Sequence, residues 1–163
     1  MTMINRFALS LFSISSFNSQ LFYSGMHNLV VNSTIEDGTS IPGQSGNTTV
    51  YKAEMADVTK RLVEFAKSSN GKTKLLYGLT TPFLCEADTD DIIDNHLNAD
   101  ALAIMKENDI TVCDTHAPII EQCGAAPVTE CFGVGQCYCP HCAGGYDFLA
   151  NEVISPCIRA LLE

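Results

Sequence analysis

Short apolar runs alternate with longer amphipathic stretches along this 163-residue chain. That order limits the architecture to α/β arrangements in which helices cover a largely parallel sheet. Leu21-Phe22-Tyr23 reads as a short buried strand running into Ser24-Gly25. Between Tyr51 and Lys67, Met55, Val58, Leu62 and Phe65 recur at helical spacing, with Lys and Glu on the other face, and Asn70-Gly71 stops the helix. Lys74 to Leu79 forms the next strand, ended by Thr80-Thr81-Pro82. Asp88-Thr89-Asp90-Asp91 supplies caps and favourable charge for a second helix, whose buried stripe is Ile93, Leu97, Ala101, Ile104 and Met105. Ile110 to Cys113 is a third strand, a short helix follows over 115–122, and a helix from Tyr146 to Leu162 closes the chain with a kink at Pro156. Two stretches fall between elements: a Ser/Thr/Gly/Asn-rich loop over 32–49 and a Cys- and Gly-rich loop over 123–144.

Composition narrows the function classes. Apolar residues make up 46% of the chain, enough for a packed core. The net charge of −10, with only nine Lys and Arg, argues against nucleic acid, since phosphate binding needs clustered cations. No stretch is long enough for a membrane span. Arg6 followed by the apolar run Phe7 to Ile14 fits two readings: a signal-peptide core, or a buried strand of the mature protein. The expected organisation is therefore residues 1–20 as a signal-like segment or replacement strand, and residues 21–163 as one α/β domain. Eight cysteines, five of them between Cys123 and Cys142, and two sequons at Asn32-Ser33-Thr34 and Asn47-Thr48-Thr49, point to a glycosylated protein of the secretory pathway or the extracellular space.

Ligands of parallel α/β sheets bind beyond the carboxyl ends of the strands. The segments leaving strands at that edge are Gly25 to Asn28, Thr80 to Cys85 and Asp114 to His116, so a site should draw on these and on the 123–144 loop. Several motifs there, in order, resemble the SGNH (GDSL-type) hydrolases, a likeness covering residues 20–162. The motifs are Gly25-Met26-His27-Asn28 after the first strand, Thr80-Thr81-Pro82 after the second, Asn98 with Asp100-Ala101 and Ile104-Met105 on a helix, Asp114-Thr115-His116-Ala117 after the third strand, and His141 ahead of Gly144-Gly145-Tyr146. The resemblance implies a three-layer α/β sandwich with a short parallel sheet, SGNH-hydrolase-like (flavodoxin-like). It also implies His141 as general base, His27 and Asn28 at the oxyanion turn, a small ester substrate and no cofactor. Against the family pattern, the first strand–helix unit with its Gly-Asp-Ser nucleophile is missing, and Tyr138 stands where the family has the Asp that orients the base. Ser24, beside Gly25, is the candidate hydroxyl. Ester hydrolysis needs a nucleophile, a base bonded to it and donors for the oxyanion, so the expectation is a degenerate, non-catalytic binding or structural component. An active secreted carboxylester hydrolase is the alternative.

Three other constellations have ordinary readings beside them. Cys137, Cys139, His141 and Cys142 are enough ligands for zinc, or a set of disulfide cysteines. Asp114 and His116 are either a replacement Asp–His pair or a helix cap beside a partly exposed histidine. Asp88, Asp90, Asp91 and Asp94 lack the spacing, glycine and closing glutamate of a calcium loop, and read as a solvated helix start, with His96 on its surface. Losing the family's central strand would leave Leu21-Phe22-Tyr23 on a bare edge. Either Phe7 to Ile14 fills that edge or a protein partner does.

Overall fold

The computed structural model describes residues 10–14, 19–23, 48–70, 72–132 and 143–163. It is a mixed α/β structure with more helix than strand. Four strands, β1 (Ser10–Ile14), β2 (Ser19–Tyr23), β3 (Lys74–Gly78) and β4 (Thr111–Cys113), form one sheet in the order β1-β2-β3-β4. The β2–β3 and β3–β4 pairs are parallel, with Leu21 opposite Leu76 and Tyr77 opposite Val112. The β1–β2 pair is antiparallel, so the sheet is mixed rather than purely parallel. Of the two occupants expected for the edge of β2, the chain's own segment is the one present: Ser10–Ile14, within Phe7 to Ile14, runs along it from Ser10 opposite Tyr23 to Ile14 opposite Ser19. Pairing satisfies the backbone groups that an open edge would leave to water or to another chain.

Among the described residues, four helical stretches accompany the sheet. The first, α1, is Thr48–Ser68. Helix α2 is continuous over 87–107: α-helical at Ala87–Ile92, wider and π-helical at Ile93–Asn98, and α-helical again at Ala99–Glu107. The short α3 is Ala117–Cys123, ended by Gly124 at φ 91°, a backbone region that favours glycine. Helix α4 runs over 143–162, with a π-helical stretch at Leu149–Ile154 just before Pro156. The π turn is the local answer to that proline. A proline ring strikes the carbonyl four residues back in a regular α-helix, and here the Ser155 hydroxyl donates to the Ala150 carbonyl at 2.6 Å.

Alternation along β3 sorts the core into two clusters. Leu75 and Tyr77, with Leu79 just beyond, face α1 and α2 and pack with Tyr51, Met55, Ile93, Leu97, Ala101 and Met105. Leu76 faces the other way, toward α3 and α4, with Cys113, Ile119, Leu149 and Val153. The expected stripe of α2 is buried at every position. That of α1 is rotated: Thr48, Tyr51, Met55 and Thr59 are its buried residues, Leu62, Val63 and Ala66 pack partly, and Phe65 stands 56% exposed. Two aromatic anchors explain the rotation. The Tyr51 and Tyr77 hydroxyls meet at 3.1 Å inside the core, and that bond fixes which face of α1 turns inward. Burial, then the neighbouring Tyr77, push the Tyr51 hydroxyl well above the ordinary tyrosine range, so it stays protonated and able to donate.

Two disulfides join described cysteines. Cys113–Cys157 ties β4 to α4 across 44 residues, and Cys123–Cys131 closes a short loop after α3. Cys85 is disulfide-bonded as well. No helix among the described residues is long and apolar enough to cross a membrane.

Candidate site at the carboxyl edge of the sheet

The turns leaving β3 and β4 lie side by side and are bonded to each other. The Leu79 N–H donates to the Cys113 carbonyl at 3.1 Å, continuing the ladder one step past the strands. The Thr115 hydroxyl donates back to the Leu79 carbonyl. Asn98, 1% exposed, closes a two-point clamp on the Thr80 backbone: the Thr80 N–H donates to Oδ1 at 2.8 Å, and Nδ2 donates to the Thr80 carbonyl at 3.1 Å. Asn98 ends the π-helical stretch of α2, and that wide turn lets both Leu97 and Asn98 face inward. A buried amide with donor and acceptor both engaged fixes the Thr80-Thr81-Pro82 turn against α2.

His116 forms the second clamp. Its ring is 8% exposed, and Nε2 stands 3.2 Å from Asp90 Oδ1 on α2. A carboxylate oxygen only accepts, so Nε2 carries the proton. The same oxygen receives the Phe83 N–H at 2.8 Å, so Asp90 holds the β3–α2 turn and the β4–α3 turn together. Nδ1 lies 3.9 Å from Asp94, whose side chain is 58% exposed. Burial is the largest single influence on the ring and pulls its pKa down. The Asp90 hydrogen bond and the charges of Asp90, Asp94 and Asp114 together outweigh it, leaving His116 above the ordinary histidine value.

Asp114 lies two residues ahead of His116, the cap position of α3, and its Oδ1 accepts the His116 and Ala117 N–H groups at 2.9 Å each. The replacement Asp–His pair is thus not Asp114 with His116. The cap turns the backbone, and the ring it carries points across to Asp90. His116 is buried rather than partly exposed, because α2 packs over it. The acidic start of α2 also differs from expectation. At its cap position, the Glu86 side chain bonds no backbone N–H and instead receives the Thr89 hydroxyl at 3.0 Å. Sequence reasoning missed Asp90 as the partner of His116, since nothing in residues 26 apart along the chain signals contact.

The resemblance-derived positions Ser24, His27, Asn28 and His141 lie outside the described residues, as do Cys137, Cys139 and Cys142 of the metal alternative. Among the described residues, no group of three or more His, Cys, Asp or Glu is arranged to hold a metal ion, and no hydroxyl or thiol is hydrogen-bonded to the His116 ring. Gly144 has a packing reason: a Cβ there would lie 3.0 Å from the Phe132 carbonyl oxygen, so the start of α4 approaches residue 132 as only glycine allows. A shallow groove of about 520 Å³ lies away from this edge, between the end of α2 and the outer side of β4, lined by Leu102, Lys106, Asp109, Thr111 and Val112. Comparison with protein-family models, with curated proteins and with solved structures finds no match for this chain.

Proposed function

We propose that this chain is an SGNH-hydrolase-like α/β protein without the serine block, a non-catalytic binding or structural component of the secretory pathway or the extracellular space. The single observation that carries the reading is the orientation of His116. At the edge where such sheets do chemistry, this imidazole is buried and bonded to a carboxylate that also holds a backbone amide, an arrangement suited to fastening two turns rather than to activating a hydroxyl. The clamp of Asn98 on Thr80 and the bond from Thr115 to Leu79 use the neighbouring polar groups in the same structural way. Helices on both faces of a sheet with parallel central pairs support the family likeness at the level of architecture. The disulfides support an oxidising compartment.

The test is purified full-length chain with p-nitrophenyl acetate and a fluorophosphonate probe. The expected result is no adduct by intact mass, and ester turnover equal to that of His141→Ala. Stoichiometric labelling of one serine, with turnover lost in His141→Ala, overturns the reading in favour of an active carboxylester hydrolase using His141 as base.

A further inference from the structure

We propose that His116 is a pH-sensitive latch on the carboxyl edge of the sheet, fastening the β3–α2 and β4–α3 turns to each other in mildly acidic solution and loosening them as the pH rises. The proposal holds whether or not the chain turns over an ester, because it concerns how tightly the edge is closed and not what reacts there.

The geometry supplies the three parts a latch needs. The hinge point is one carboxylate oxygen, Asp90 Oδ1, which binds the His116 ring from one turn and the Phe83 amide from the other. The bolt is a ring that is 8% exposed, so its charge is not diluted by bulk water. The spring is repulsion. Among the described residues, the ionisable groups acting on the ring are Asp90 and Asp94 from α2 and Asp114 from its own turn, all acidic. With the ring charged, Asp90 and Asp94 attract it from α2 and hold the turns in place. With the ring neutral, Nε2–H still reaches Asp90, but the bond is no longer charge-assisted and the acidic groups acting on the ring repel with no positive charge to offset them. The Leu79–Thr115 and Thr80–Asn98 bonds remain in either state, so the edge loosens at the Phe83–Asp90–His116 junction rather than unfolding.

The sign follows from linkage. The ring binds its proton more tightly in the folded protein than in the unfolded chain, because the Asp90 bond and the three charges outweigh burial. Its contribution to closure is therefore complete below the unfolded histidine value, and is lost as pH climbs through the higher, folded value.

The test uses the whole chain. Histidine Cε1–H resonances are titrated by NMR between about pH 5 and about pH 9, with His116→Gln assigning the peak. Amide exchange at Phe83 and Ala117 is followed over the same range, corrected for its intrinsic pH dependence. The expected result is a His116 midpoint above that of the urea-unfolded chain, with protection of the Phe83 amide falling through the same window. Ala117 is held by Asp114 and keeps its protection. Asp94→Asn supplies a variant that does not depend on the buried pair, since this side chain is 58% exposed. It is expected to lower the midpoint while leaving the fold intact. A midpoint at or below that of the unfolded chain overturns the latch, and so does Phe83 protection that stays constant through the titration.

Discussion

The two faces of the sheet are held by different means. The face under α1 and α2 is a broad apolar cluster built on two long helices, from Tyr51 to Ile110, and among the described residues no disulfide joins its members. The face under α3 and α4 buries fewer large side chains, centred on Leu76, Ile119, Leu149 and Val153, and is covalently stapled: Cys113–Cys157 fixes α4 to β4, and Cys123–Cys131 closes the loop beneath α3. Part of the contrast lies in α3, since α4 is about as long as α1 and α2. A helix of seven residues such as α3 presents little more than one apolar side chain to the sheet, here Ile119. When apolar area runs short, a cross-link that restricts the unfolded chain supplies what packing does not.

The comparison can be broken most directly at the staple. Replacing Cys113 and Cys157 together with Ala opens a loop spanning 44 residues of sequence separation. Chain entropy for a loop of that length predicts a loss of about 4 kcal/mol, read as a lower urea midpoint. If the second face instead held by packing alone, the loss would be no more than that of two small side chains. A smaller effect, about 3 kcal/mol, is expected for Leu97→Ala, which opens a cavity in the first cluster where Leu97 is 0% exposed. This loss should be the same with the disulfides reduced or oxidised if the two faces are independent, and a large difference between the two conditions would join them. Smaller still, about 2 kcal/mol, is the cost expected for Asn98→Ala, which leaves the Thr80 N–H and carbonyl without their buried partner. Asn98→Ala sharpens the comparison because the clamp sits at the seam between α2 and the carboxyl edge. Hydrogen exchange should report faster opening at Thr80, with residues 149–158 unchanged.

Much of the architecture was legible from periodicity. Ile93, Leu97, Ala101, Ile104 and Met105 recur at helical spacing, and all are buried, because an apolar stripe has only one favourable way to face a sheet. The strands at 74–79 and 110–113 were recognisable as short apolar runs between turn residues, and the structure keeps Lys74–Gly78 and Thr111–Cys113 of them. Helix α1 was recognised but turned wrongly. Phe65 looked like a core residue by type, yet the Tyr51–Tyr77 hydroxyl pair sets the rotation and leaves Phe65 outside. Neither π-helical stretch was expected, although Pro156 marked one of them as a kink. The site was less legible than the fold. Asp114 was read as the cap of the next helix; the cap position is His116, and Asp114 instead holds the N–H groups of His116 and Ala117 from just before it, a local act between neighbours in sequence.

What the sequence by itself determined is the set of local decisions: where helices begin and end, which residues are apolar enough to be covered, and that the middle of the chain alternates strand with helix. These depend on interactions within a few residues, and periodicity records them. Tertiary structure alone decided who meets whom. It brought Asp90 to His116, Asn98 to Thr80 and Cys113 to Cys157, and it chose Ser10–Ile14 over a partner chain for the edge of β2. Those partners are set by how α2 and α4 lie across the sheet, a geometry that many side chains determine jointly and that no short stretch of sequence carries.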